Sequence, residues 1–438
     1  MFLYLVQTAV KNSRNRAFLS LLMVLAIGLG IGFLMTIVTV GYSMGKNPFP
    51  ERNDVLFAVQ LDAGNPDNPP DNPDNIATQL TYLDAMALME SRQAKRQSAS
   101  AQSYVVIVPQ DPDISSYQAS VRALFTDFFA MFNVPFEYGA PWDHQADGNA
   151  DQVVVLSHAT NDRLFGGRNS VGLTLSFGND EYVVVGVLKP WRPVPRVYDL
   201  TGGSPFDSVR DVFMPFNTMV DHNYERRGSV SCWKPLPTND YQGFLFSECT
   251  WIQFWVELSN SEEKAKYLEF LNNYATDQKK VGRFGRPVNN HLRNIEEWLD
   301  YHRVVDEGVQ VLTVIAALFL GVCLINTIAL MLAKFLARTK DLAVRRALGA
   351  SKFTLFAQHL LESGFIGVIG GLAGILFAWL GLLGIRALFD DPDIVYLTSL
   401  DVTMLATAIA IAALSTMVAG IYPAVRACNV QPVAFLKV

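Results

Sequence analysis

The sequence predicts an α-helical membrane protein: four transmembrane helices, with a large α+β domain inserted between the first and the second. Three observations predict it. Four apolar runs, about 17–42, 309–333, 353–385 and 402–425, each exceed the roughly 20 residues that cross a hydrocarbon core about 30 Å thick. The segments flanking these runs alternate between basic and acidic, as an even number of spans requires. Residues 43–305 carry no such run and instead show short alternating stretches of strand type. Composition agrees: 50% of residues are hydrophobic and only 17% are charged, which is low for a soluble chain. A net charge of −6 argues against a nucleic-acid partner.

Taken in order, residues 1–16 predict an amphipathic helix on the membrane surface, with Phe2, Leu5, Val6, Ala9 and Val10 on one face. Residues 17–42 are the first span. Lys11, Arg14 and Arg16 precede it, and its length, without a good small-residue cleavage site, reads as an uncleaved anchor and not a signal peptide. In the domain at 43–305, strands are expected at 55–61, 103–108, 152–156, 181–188 and 250–258. Helices are expected at 81–97, 120–133 and 261–276, and loops at 190–215 and 234–243. A subdomain inserted at about 111–245 is expected to interrupt the first. The Asn-, Asp- and Pro-rich stretch 61–75 lacks the ligand spacing of a calcium loop and reads as a solvated, extended loop.

The second span is expected at 306–333, a basic segment at 334–352, the third span at 353–385, a loop at 386–400, the fourth span at 401–425 and a tail at 426–438. The basic segments mark the cytoplasmic side, and Asp390, Asp391 and Asp393 mark the opposite side. Both termini are therefore expected inside, with the large domain outside. Of the four cysteines, Cys323 lies in an apolar run and Cys428 near the tail. Cys232 and Cys249 lie in the outside domain, where a disulfide is compatible with an oxidising compartment; two unpaired, partly buried thiols are the other reading.

Enzyme chemistry is not encoded in any familiar pattern. There is no G-x-x-x-x-G-K-[ST], H-E-x-x-H or G-x-S-x-G, and no histidine pairs with Cys or His at metal-ligand spacing. No catalytic, cofactor or metal site is expected. The span interiors read as free of charge, which argues against a proton- or ion-coupled path. Asn326 and Thr327 are their polar groups, expected to bond between helices. Small residues recur four apart: Gly28 with Gly32, Gly367 with Gly371, Gly370 with Gly374. Such faces let backbones approach, either inside this bundle or against a second membrane subunit.

The basic segment carries the most specific signal. Leu342, Arg345, Arg346 and Gly349 fall within two helical turns, Gly349 can terminate that helix, and Ser351 can start the third span. The order Thr339-Lys340-Asp341-Leu342-Ala343-Val344-Arg345-Arg346-Ala347-Leu348-Gly349-Ala350-Ser351 resembles the coupling-helix signature of FtsX-like, MacB-type ABC transporter permeases. Asp341 stands where that family usually has Glu, which keeps the charge. The closing stretch Gly420 to Lys437, with Tyr422-Pro423-Ala424 and Arg426-Ala427, and the segment Leu164 to Gly172 resemble the same family. So does the order of one span, a large domain and three spans.

The resemblance implies a permease that works as a dimer, homomeric or heteromeric. Each copy would carry a soluble ATPase on Lys340, Asp341, Leu342, Arg345, Arg346, Leu348, Gly349 and Ser351. No ATPase domain is read in this chain, so ABC ATPase subunits, with their ATP and Mg, are expected as separate chains. The resemblance also implies the bacterial inner membrane and a periplasmic domain of porter-plus-insertion type. A periplasmic adaptor and an outer-membrane channel are expected partners in efflux. Lipoprotein release and regulation of cell-wall hydrolases are the rival readings within the family.

Overall fold

The computed structural model describes residues 17–337, 344, 348–388, 394–398 and 402–428. The described residues form two compact units, 46–304 and the helices on either side of it in sequence. The segment 1–16 and most of 338–347 lie outside the described residues.

Helix α1 runs over Ala17–Gly45, 29 residues without a charge. After it comes the domain of residues 46–304. Its strands are β1 (Leu56–Gln60), β2 (Leu80–Thr81), β3 (Arg96–Val108), β4 (Tyr117–Leu124), β5 (Phe136–Gly139), β6 (Val153–Leu156), β7 (Thr174–Phe177), β8 (Asp180–Leu188), β9 (Val212–Pro215), β10 (Arg226–Arg227), β11 (Ser231–Cys232), β12 (Cys249–Glu257) and β13 (His291–Arg293). They join one sheet whose main path runs β13-β1-β12-β3-β4-β9-β6-β8-β5. The β4–β9 and β6–β8 pairs are parallel and the other pairs antiparallel. Helices α2 (Tyr82–Ser91), α3 (Asp127–Met131), α4 (His144–Asn149), α5 (His158–Phe165), α6 (Phe216–Asp221), α7 (Tyr241–Leu245), α8 (Ser261–Lys280) and α9 (Ile295–Tyr301) cover it. Thr81, Asp143, Ser157, Asp240, Asn260 and Asn294 each accept a backbone N–H of the first turn, which places six of these helix starts.

Both faces of the sheet are buried. Along β1, Phe57 and Val59 join one apolar cluster while Leu56 and Ala58 join the other. Along β12, Phe254 and Val256 take the first and Trp255 the second. Alternation sends successive side chains to opposite faces, so a strand buried throughout reads as a continuous apolar run.

Several expectations change. The helix expected over 120–133 is strand to Leu124 and helical only over Asp127–Met131, because β4 pairs with β3 through eight registered positions. The helix expected over 81–97 stops at Ser91: Arg92 takes a left-handed conformation (φ 49°), and Arg96 and Gln97 open β3. The expected loop 190–215 contains β9 and a single turn at Val197–Asp199, and α7 begins inside the expected loop 234–243. Residues 111–245 are not set apart as a body of their own; the sheet runs through them. The 61–75 stretch is tethered, because Arg286 donates to Asp62 (2.9 Å), to the Asn65 carbonyl (2.8 Å) and to the Asn68 carbonyl (2.7 Å). Cys232 and Cys249 face each other in the β11–β12 ladder and are disulfide-bonded, with Cα atoms 4.2 Å apart.

The second unit packs α1 with α10 (Glu307–Leu336), α11 (Lys352–Leu388) and α13 (Val402–Cys428); α12 (Ile394–Leu397) is one turn. These four are the helices long and apolar enough to cross a membrane among the described residues. On α10, Val314, Leu318, Val322 and Ile325 are more than half exposed, as a lipid-facing stripe should be.

Candidate coupling site

The glycine pairs come first, because they bring the helices together. A Cβ built at Gly370 would lie 2.7 Å from Ile27 Cγ2, and one at Gly374 2.7 Å from Ile31 Cγ2, both on α1. Gly28 and Gly32 face α11 in return, against Ala373 and Phe377. Gly367 and Gly371 point the other way, against Ala412 and its neighbours on α13. Ordinary Cβ contacts are not shorter than 3 Å, so two faces of α11 are cut down to backbone, one for each neighbour. These contacts are all made inside one chain.

The basic segment joins α10 to α11. Its residues Lys340, Asp341, Leu342, Arg345 and Arg346 lie outside the described residues. Its end is described. The Leu348 N–H donates to the Val344 carbonyl at 3.0 Å, a helical bond. Gly349 then takes φ +95°, the left-handed conformation that stops a helix. A Cβ there would meet nothing within 4 Å, so the backbone conformation, not crowding, calls for glycine. The Ser351 hydroxyl accepts the Thr354 N–H at 3.1 Å and caps α11. Val344, Leu348 and Phe353 are 47%, 83% and 77% exposed. Stop, turn and restart thus occupy 348–351, flanked by exposed apolar side chains.

Beneath this turn lies a polar cluster that contradicts the reading of charge-free spans. Lys334 Nζ, on α10, is 2.7 Å from Glu362 Oε1 on α11, and the two side chains are 0% and 1% exposed. The same amine donates to Ser20 Oγ on α1 at 3.1 Å. One turn before Glu362, His359 is buried against the Phe335 ring, with centroids 4.1 Å apart. Glu362 sits well inside the third apolar run, where ionisable residues are rare and costly unless paired. It was visible in the sequence as a lone acid there, but its partner was not, since Lys334 looks like one more flanking base. Among the described residues, the expected inter-helical bonds of Asn326 and Thr327 are not found either. Thr327 Oγ1 donates to the Cys323 carbonyl of its own helix at 2.8 Å, and Asn326 is exposed.

The domain of residues 46–304 holds a second buried ionic site. Asp199 accepts from Arg122 (2.7 Å) and Arg210 (2.8 Å) and lies 3.4 Å from Arg196. Burial alone would raise the Asp199 pKa; Arg122, Arg210 and Arg196 outweigh it and hold the carboxyl below the ordinary carboxylate value. Arg196 also donates to the Ser204 and Ser208 carbonyls, so the cluster straps the 196–210 segment onto the sheet.

Two family models match. The MacB-like periplasmic core domain covers residues 20–267, and the FtsX-like permease C-terminal domain covers residues 313–432. A macrolide export ATP-binding/permease protein, MacB, of Burkholderia cenocepacia is 23% identical over 425 residues, 94% of this chain and 54% of its own length. A pyoverdine export ATP-binding/permease protein, PvdT, of Pseudomonas syringae pv. syringae is 26% identical over 325 residues, 74% of this chain and 43% of its own. The chain thus spans about half the length of the curated relatives it matches. The solved periplasmic region of MacB from Actinobacillus actinomycetemcomitans superposes with a TM-score of 0.36 at 14% identity, covering 56% of this chain and 90% of its own. With the core-domain model spanning more than half of the residues and the permease model spanning the last three long helices, this chain belongs to the MacB-type, FtsX-like ABC transporter permeases.

Proposed function

We propose that this chain is the membrane subunit of an exporter that converts ATP hydrolysis by separate cytoplasmic ABC subunits, which hold the ATP and Mg, into movement of a periplasmic domain. Two such permeases, identical or paralogous, would form the working dimer in the bacterial inner membrane. Substrate would leave from the periplasmic side through an adaptor and an outer-membrane channel.

The observation that carries this reading is the turn at 348–351. It follows the sequence that resembles a coupling helix and leaves Leu348 and Phe353 exposed for a soluble partner. The curated relatives named as export ATP-binding/permease proteins support the direction of transport. The disulfide at Cys232–Cys249 supports an oxidising location for its domain. The absence of a nucleophile or metal motif in the sequence supports placing the chemistry on the partner.

Purification of the full chain in mild detergent, with identification of everything retained, tests it. An ABC ATPase with a second permease and a periplasmic adaptor is the expected set. A retained cell-wall hydrolase would favour the regulatory reading, and loss of every ATPase would overturn coupling. Arg345→Glu should then uncouple ATPase activity from transport while leaving membrane insertion intact.

A further inference from the structure

We infer that Lys334 and Glu362 are positioning residues for transmission: their buried ion pair locks α10 and α11 in register, so that a push on the segment between them moves both helices as one lever. The inference rests on the reading that this segment receives the ATPase.

The geometry carries it. Lys334 lies in the last turn of α10 and Glu362 in the third turn of α11. Together they link the end of α10 to the start of α11, the two helices that residues 338–351 connect in sequence. Nζ and Oε1 are 2.7 Å apart and both side chains are out of solvent. The third partner, Ser20 Oγ at 3.1 Å, ties the first span to the same amine. The fourth helix meets the same level: a Cβ at Gly420 would lie 2.7 Å from Ser363 Cβ, next to Glu362 in sequence. All four long helices therefore converge within one turn of the pair.

Elsewhere the contacts that the glycines make in the α1–α11 and α11–α13 seams are with uncharged side chains, among them Ile27, Ile31, Phe377 and Thr416. A slip along such a seam loses packing but strands no charge. A charge pair in a medium of low dielectric resists sliding strongly, because a slip of one turn, about 5.4 Å, leaves two unpaired buried charges. Force applied to the joining segment is then not dissipated by slip between the two helices. In the sequence the pair belongs to no motif of the coupling segment.

The test uses the full chain in sealed liposomes with the ABC ATPase that co-purifies with it, and a macrolide, the cargo in the name of one relative, as the transported probe. Spin labels at the exposed Phe319 and Leu376 report the α10–α11 register. Four forms are compared: wild type, Lys334→Met, the apolar pair Lys334→Met/Glu362→Met, and the swap Lys334→Glu/Glu362→Lys. The apolar pair removes the lock without burying a lone charge, so it folds where the single variant fails. It should match wild type in thermal midpoint yet show a broadened label distance and a loss of transport per ATP of at least about fivefold. The swap should restore both readouts, since a serine hydroxyl at position 20 can donate to a carboxylate as readily as it accepts from an amine. A narrow label distance with undiminished transport per ATP in the apolar pair would overturn the inference. If wild type shows no stimulated ATPase at all, the coupling reading fails. The label distances still decide whether the pair sets the register.

Discussion

Both halves of this molecule bury charge, and they do so differently. Among the described residues of the helices, the Lys334 amine meets the Glu362 carboxylate and the Ser20 hydroxyl, with glycine-lined seams around them. In the sheet domain, three guanidinium groups surround Asp199 and also reach the carbonyls of Tyr198, Gly202, Ser204 and Ser208. The domain can afford a branched network because loops supply free carbonyls. Membrane helices offer fewer, since most carbonyls are already bonded along their own helix; those that side chains do reach, as Thr36 reaches Ala378 and Thr327 reaches Cys323, take a neutral hydroxyl. The bundle pair is therefore carried by side-chain contacts, whereas the domain cluster straps a loop through many bonds to backbone carbonyls.

The largest effect expected on this contrast is Asp199→Ala. It leaves Arg122, Arg196 and Arg210 buried without their shared carboxylate, and should destabilise the domain by about 3–5 kcal/mol. Limited proteolysis of the full chain should then cut within 196–210 first; an unchanged cleavage pattern would mean that the carbonyl bonds alone hold the strap.

Next in size is the disulfide. Cys232 and Cys249 are 17 residues apart, and closing a loop of that order is worth about 3 kcal/mol. Cys232→Ser with Cys249→Ser should lower the unfolding midpoint of the domain and leave helix packing untouched, which separates the two halves thermally.

Smaller, and confined to the bundle, is a pair of glycine changes. Gly367→Ala drives a methyl into Thr416 and Ala412 and should cost about 1–3 kcal/mol. Gly321→Ala meets nothing within 4 Å and should be neutral or gain up to about 1 kcal/mol from helix propensity. Thermal aggregation of both variants in detergent checks the difference. Equal behaviour would mean that the α11–α13 seam relaxes freely.

The smallest net effect is with pH. Burial pushes the Asp147 carboxyl up to about 6, against the opposing N–H groups of Thr126 and Trp142. The folded state then takes up that proton first, so this group adds stability as pH falls from about 6 towards 4. Burial, with Arg293 adding to it, pulls the His302 imidazole down to about 4. The unfolded state takes up that proton first, so this group removes stability as pH falls below 6.5. The two nearly cancel. Asp147→Asn should expose the histidine alone, steepening the loss of stability below pH 6 by up to about 1.4 kcal/mol per pH unit. Chemical unfolding of both forms between pH 4 and 7 measures it.

How much could be read beforehand followed local physics. The spans were legible because an apolar run of that length has no other stable home in water. The strands at β1, β6, β8 and β12 were legible from β-branched and aromatic runs. The first half of β3, Arg-Gln-Ser-Ala-Ser-Ala-Gln, was not: nothing in those residues favours a strand, and they form one because β12 and β4 pair on either side. β4 was mistaken for helix because Val121, Leu124, Phe125 and Phe128 fall at helical spacing, a local preference that long-range pairing overrode. At the turn between α10 and α11, Gly349 and Ser351 were legible as stop and cap.

The sequence by itself determined the four apolar helices, the inserted domain and the turn at 348–351, because each depends on residues within a few turns of one another. Tertiary structure alone decided which glycines face which helix, which carboxylate the arginines of the sheet domain share, and that Lys334 meets Glu362. Apart from Arg196 and Asp199, those contacts join residues well separated in the chain, and they form only where folding carries both partners out of water together.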